Sequence, residues 1–255
     1  MQKLLVPIAQ IVVGLLFVGA WQLVANAHVV DPKILPGPAA VAGTLVGLLQ
    51  NGTFLSSAAD TVTRVIAAFL IGAPIALLVG FVMGENITLG KSFGPIFNLV
   101  LAVPQSIFLP IFVLLFGLGF TEKLMFGITH VFFVVVVNTM AAVREVSHPY
   151  VVAARSFGAS RLRIYRSIYL PAMAPHVVTG LRFGMIFNII GILLAEMYAS
   201  RTGLGVLLSR WGETFDVNRL MAATILISFV TVLVNESMRL WEARVGRWQR
   251  SMDSE

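Results

Sequence analysis

Apolar residues run unbroken for long stretches of this chain. Leu4 to Ala25, Val65 to Gly84, Ser92 to Thr121 and Leu124 to Val143 hold no charged side chain. A helix rises ~1.5 Å per residue, so about 20 apolar residues carry it across the hydrocarbon core of a bilayer. Two further runs are interrupted or short. Pro171 to Ser200 contains Arg182 and Glu196, and Leu220 to Asn235 reaches spanning length when extended to Asn218 and Leu240. The pattern predicts an all-α polytopic membrane bundle of about six transmembrane helices. The Ser92 to Thr121 run exceeds one span and contains Pro95, Pro104 and Pro110. Proline removes a backbone donor and kinks a helix, which lipid tolerates only where neighbours satisfy the freed carbonyls, so this span is expected to be broken and packed inside the bundle.

Composition agrees with the pattern: 58% of residues are hydrophobic and 12% are charged, about half the charged share of a soluble domain. There is no cysteine, which excludes disulfide frameworks, thiolate metal sites and cysteine nucleophiles. The net charge of +6 would raise nucleic acid as a partner in a soluble protein. Here the basic residues cluster beside apolar spans, where they set orientation. With the N-terminus inside, the inner segments hold Lys3, Lys91, Arg144, Arg155, Arg161, Arg163, Arg166, Arg239, Arg244, Arg247 and Arg250, the majority of the 18 Lys and Arg. Six spans then place both termini on the cytoplasmic side of the membrane. Ala25-Asn26-Ala27 has the form of a signal-peptidase site, but the apolar run before it is longer than a signal core and contains Gln10 and Gln22, so it is read as a retained helix. The expected organisation is 1–57, a first membrane helix with an external segment, and 58–255, a core of five helices.

Several candidate chemistries fail. GENITLGKS, Gly84 to Ser92, has five residues between its first two glycines where a phosphate-binding loop has four, and it joins two membrane spans instead of a strand and a helix. It reads as a cytoplasmic turn. His28, His130, His148 and His176 show no metal-ligand spacing. His130, inside the fourth span, reads as packed or bonded to a carbonyl more readily than as a path residue. Arg182 and Glu196 are too far apart to pair, ~21 Å along one helix. Arg182 is expected to snorkel to the inner surface and Glu196 to sit at the outer rim, against a gating or substrate role for either.

Between the fourth and fifth spans lies VVAARSFGASRLRIYRSIYLPAMAP, Val151 to Pro175. Ser147 is placed to cap a short helix that Gly158 ends, and Ser160 to cap a second helix with Leu162, Tyr165, Ile168 and Tyr169 on one side, before Pro171 opens the fifth span. A basic amphipathic segment beside a membrane is commonly a lipid anchor. The spacing is more particular: Ala153-Ala154, three residues, Gly158, nine residues, Ile168, one residue, Leu170-Pro171. It resembles the EAA signature of ABC-importer permeases. From Asp60 to Trp248 the order of features is similar to the branch that imports nitrate, sulfonates and taurine: Pro104 and Pro110 with Phe116-Gly117, Asn138-Thr139, Ala195-Glu196-Met197, Gly203-Leu204-Gly205 and the basic tail. One position departs, Val152 standing where the signature has its glutamate; Arg155 and Glu145 are the nearby polar substitutes.

The resemblance implies a bacterial inner membrane, a type I importer fold and a permease core over 58–255, whose loop, 144–171, carries a coupling helix. Val152, Ala153, Ala154, Arg155, Gly158, Ala159, Ile168, Leu170 and Pro171 would form the part that seats in an ATPase subunit. It implies a homodimer and an external binding protein that delivers a small organic or inorganic anion such as a sulfonate, taurine or nitrate. Close relatives also carry thiamine precursors, riboflavin-like compounds and aromatic acids. ATP and Mg would belong to the partner ATPase, so this chain is expected to bind no cofactor and catalyse nothing. Polar residues in the apolar spans, Gln105, Ser106, Asn138, Thr139, Asn188 and Glu196, are candidates to line the path; each has the plainer reading of an interhelical hydrogen-bonding group. The outer loop Ser200 to Asp216, with Arg201, Arg210, Glu213 and Asp216, reads as solvated or as a surface for the binding protein. The rival class is a secondary transporter driven by an ion gradient, which would show mid-membrane carboxylates and paired broken helices.

Overall fold

The computed structural model describes residues 2–27, 30–146 and 148–246. Ser147, Arg247, Trp248 and Arg250 lie outside the described residues, as does His28. Every regular element among the described residues is helical. The first is α1, Gln2–Asn26, followed by α2, Pro38–Leu49, and α3, Gly52–Glu85. Next come α4, Ile87–Ala102, a 3-10 turn at Gln105–Phe108, and α5, Leu109–Phe116. The long α6, Phe120–Arg144, leads to α7, His148–Ser156, and one turn of α8, Arg161–Ile164. A π turn, Tyr165–Tyr169, joins α8 to α9, Leu170–Ala199, before α10, Leu204–Glu213, and α11, Val217–Val245.

Five helices are long and apolar enough to cross a membrane, and the α4–α5 pair, bent by 89° at its break, makes a sixth span if counted as one. The bend falls at Val103-Pro104, as the prolines predict. The turn in GENITLGKS is equally local in origin. Asn86, extended at φ −93°, accepts from Thr88 N–H at 3.0 Å and Leu89 N–H at 3.1 Å and so ends α3 and caps α4.

Other boundaries differ from the expectation. The second span begins at Gly52, not Val65: Asn51 caps it by accepting from Phe54 N–H at 3.0 Å, and Arg64 is buried inside it instead of marking its edge. Pro171 does not open the fifth span, because α8, the π turn and α9 form one helix, Arg161–Ala199. The π turn accommodates the missing proline donor with longer-range backbone pairing and no break. The external segment contains α2, and the loop Ser200 to Asp216 contains α10. The first is apolar and the second amphipathic, and both are seated on one apolar cluster, where Val41, Leu48, Phe54, Leu207 and Trp211 pack with Ala222 and Ala223 of α11.

The centre of the bundle is α6, held between α3 and α9. Small residues recur every fourth position on α3 at Gly72, Ala76, Gly80 and Gly84. A Cβ on Gly80 would come within 2.7 Å of Thr139 Cβ, and one on Gly84 within 2.6 Å of Val143 Cβ. On the other side, Gly180 receives Asn138 and Gly184 receives Val135, each at 2.7 Å from where a Cβ would stand. Lipid supplies no hydrophobic drive between helices, so close backbone approach through small residues is what lets the three helices associate.

Candidate functional site

The loop after α6 has the geometry its glycine predicts. Gly158 takes φ 75°, and its N–H donates to Arg155 O at 2.9 Å while Ala159 N–H donates to Ala154 O at 3.0 Å. That pair of bonds is a Schellman motif and terminates α7. Ser160 Oγ then accepts from Arg163 N–H at 3.4 Å to start the next helix. Ala153, Arg155 and Gly158 are exposed, Ala154 and Ala159 are half-buried, and Val151 turns inward. Tyr150 and Val152 face outward, and Phe157 is 91% exposed. An aromatic ring so placed on a short projecting helix is an unpartnered contact surface.

At its far end the loop is tied to the bundle. The Tyr165 hydroxyl hydrogen-bonds the Glu85 carboxylate at the end of α3, and its ring packs edge-on against Phe81 at 5.8 Å. Ile168 is half-buried, whereas Leu170 and Pro171 are exposed. Glu145 pairs with His176 at 3.1 Å across to α9.

The polar residues of the spans divide into two groups. Gln105 and Asn138 are half-buried and Ser106 is exposed; Asn138 donates to Val134 O at 2.8 Å, and Gln105 Oε1 is enclosed without a partner. Asn188, Thr139 and Glu196 are instead sealed within the chain. Asn188 Nδ2 donates to Val65 O of α3 at 2.8 Å, and its Oδ1 lies against Gly127 of α6, so this one side chain joins three helices. His130 is buried with Nδ1 donating to Phe126 O at 2.9 Å.

Three ion pairs were not anticipated. Glu196, 0% exposed, accepts from Arg64 Nη1 at 2.5 Å, Thr61 Oγ1 at 2.7 Å and Gly205 N–H at 3.0 Å. Arg64 also donates to Thr202 O at 2.9 Å. Glu196 therefore lies near the end of α9 but is enclosed instead of exposed on a rim, the Arg64 guanidinium in α3 compensating its charge. Lys123, 1% exposed, donates to Glu122 at 2.8 Å, Gly119 O at 3.0 Å and Ala199 O at 2.7 Å, capping the last turn of α9. Arg182 does not snorkel. Its Nε donates to Glu242 of α11 at 3.1 Å and its Nη1 to Asn235 Oδ1 at 3.2 Å, with the Phe183 ring 4.8 Å below the guanidinium. The legible signal for two of the cations was a carboxylate on another apolar helix, Glu196 for Arg64 and Glu242 for Arg182; Lys123 pairs with its own neighbour Glu122.

The sequence profile of the family described as "Binding-protein-dependent transport system inner membrane component" matches residues 72–251. The taurine transport system permease protein of Escherichia coli is 28% identical over 233 residues, covering 89% of this chain and 85% of that one. A putative aliphatic sulfonates transport permease protein of Bacillus subtilis is 25% identical, covering 92% and 86%. A riboflavin transport system permease protein of Chloroflexus aurantiacus is 26% identical, covering 91% and 86%. Among solved structures, inward-facing conformations of the MetNI methionine ABC transporter match with a TM-score of 0.67 at 18% identity, covering 76% of this chain and 97% of that one; this shares the type I importer fold. Because the matched region takes in every helix from α4 to α11 together with the Gly158 turn, the chain belongs to the binding-protein-dependent transport system inner membrane components, the permeases of ABC importers.

Proposed function

We propose that this chain forms the translocation path of an ATP-driven importer and takes its energy from a separate ATPase that seats α7. The observation that carries the reading is the projecting α7, ended by the left-handed Gly158, with Tyr150, Val152 and Phe157 unpartnered and Arg155 exposed beside them. A rigid helix with an aromatic tip fits a cleft in a partner and transmits that partner's closure mechanically. ATP and Mg belong to that partner. Two copies of this chain would face two ATPase subunits, because closed two-fold assemblies are the commonest. The clustering of basic residues in one set of segments supports a topology with both termini in the cytoplasm.

Gln105 and Ser106, at the bend between α4 and α5, and Asn138, on α6 against Gly180 of α9, are the polar candidates not fully buried and are proposed to line the path. Thr139, Asn188 and Glu196 are assigned to packing. The substrate is a small anion of the sulfonate, taurine or nitrate class, delivered by an external binding protein; the taurine and sulfonate relatives support this choice. The carboxylates that a gradient-driven carrier would use are committed to cations, Glu196 to Arg64 and Glu122 to Lys123.

The deciding experiment is uptake of radiolabelled taurine by proteoliposomes holding this chain, its ATPase and the binding protein. Uptake should require internal ATP and survive collapse of the proton gradient. Uptake that persists without ATP and follows the gradient would overturn the reading. Gln105→Leu and Asn138→Leu should lower uptake by about tenfold while ATP hydrolysis continues, as for loss of hydrogen bonds of ~1.4 kcal/mol.

A further inference from the structure

We propose that Glu196 is the positioning residue that ties the outer helix α10 to the helix rising from the coupling loop, so that the outer face and the ATPase-facing loop move together. The proposal rests on the permease reading above. Arg161–Ala199 is one continuous helix of 39 residues, about 58 Å at 1.5 Å per residue. Its inner end begins two residues after the Gly158-Ala159 turn. Its outer end carries Glu196, three residues before the last helical position.

The carboxylate sits where the chain turns to begin α10. It accepts from Gly205 N–H in the first turn of that helix at 3.0 Å, an N-terminus whose free amides favour negative charge. The chain wraps so closely that a Cβ on Gly203 or Gly205 would collide with the Glu196 side chain. Thr61 and Arg64 of α3 complete the ring of donors around the two carboxylate oxygens.

Apolar and polar attachments of α10 are separable. Leu204, Leu207 and Trp211 seat it on α2, α3 and α11 through Val41, Phe54, Ala222 and Ala223, with Leu193 of α9 packed at the edge of the same cluster. Removing the carboxylate would therefore leave α10 folded on those helices, its hold on α9 reduced to the Leu193 edge and the close backbone approach at Gly205. Replacing only Glu196 strands the buried Arg64 guanidinium, whereas replacing both charges leaves none uncompensated. The double variant Arg64→Met/Glu196→Met is thus the informative one, because a glutamine at 196 would keep an acceptor for Gly205 N–H.

The chain contains no cysteine, so single reporters can be introduced cleanly. Ser167→Cys, exposed at the inner end of the long helix, and Arg210→Cys, exposed on α10, are labelled with a maleimide in the complete complex, nucleotide-free or trapped with ATP and vanadate. In the otherwise native chain both labelling rates should change by about fivefold, the lower end of coupling between linked sites. In the double variant the Ser167→Cys response should persist and the Arg210→Cys response should disappear. Persistence of the Arg210→Cys response in that variant, or its absence from the native chain, would overturn the proposal. So would failure of the double variant to assemble, which would make the pair a folding element only. Absence of any Ser167→Cys response in the native chain would instead refute the permease reading.

Discussion

Arg64 and Glu196 show how a charge survives inside an apolar bundle. Each is buried, and the pair is closed by Thr61, Thr202 and Gly205 so that few polar atoms are left over. Removing one partner strands the other, which costs about 3–5 kcal/mol. Arg64→Ala should accordingly lower the thermal unfolding midpoint of the detergent-purified protein far more than Arg64→Gln/Glu196→Gln, by differential scanning fluorimetry. Equal midpoints would mean that the pair contributes nothing to the native fold. At Gly158 the argument is conformational. Its φ of 75° costs an L-residue roughly 1–2 kcal/mol, so Gly158→Val should retain assembly and ATP hydrolysis but lose coupled uptake. Normal uptake would deny the turn its role. The glycine was legible because φ is a property of one residue. The ion pair was not: its members are 132 positions apart, and Arg64 alone looks like the end of a span.

Helices here are specified partly by what they lack. α3 and α9 are notched at Gly80, Gly84, Gly180 and Gly184, and the valines, Thr139 and Asn138 of α6 enter those notches. Overpacking a close helix contact costs ~1–3 kcal/mol or more. Gly84→Val should sharply reduce the monodisperse fraction in gel filtration, whereas Gly14→Val on α1, where a Cβ meets nothing within 4 Å, should leave it unchanged. A notched helix that tolerated valine at position 84 would contradict this packing. The four-residue repeat of small residues on α3 stands in the sequence, but only the facing side chains show that it is an interface. In α10 the apolar residues are spread over only ten positions, too few to mark a membrane span, and so an external helix read as a loop. The break at Val103-Pro104 was legible because proline acts on its own helix.

Taken whole, the molecule is firm at the end that holds α10 and more open at the end that holds α7. At the α10 end Arg64–Glu196 and Lys123–Glu122 fasten α3, α6, α9 and α10 through buried charges. At the α7 end the links are more exposed: Tyr165 with Glu85, and Glu145 with His176. Local stability falls where buried contacts thin out, which fits the loop's proposed role of following a partner. Val152, 48% exposed on α7, presents an apolar surface at the one position where the loop departs from the signature it resembles. Val152→Glu should fold normally, because the position faces solvent, and should tighten ATPase association in pull-down from membranes. Complete loss of association would show that the partner cleft is adapted to valine.

By itself the sequence determined what depends on short stretches of chain: the membrane class from apolar run length, the broken span from proline, the turn that ends α7 from glycine. Tertiary structure alone decided which charge met which, which polar groups were sealed and which stayed at the surface, and that the loop, α8 and α9 are joined through one unbroken helix. The physical reason is range. Propensities and steric limits act within a few residues, whereas charge compensation and the filling of glycine notches join helices far apart in the chain and exist only once those helices have packed.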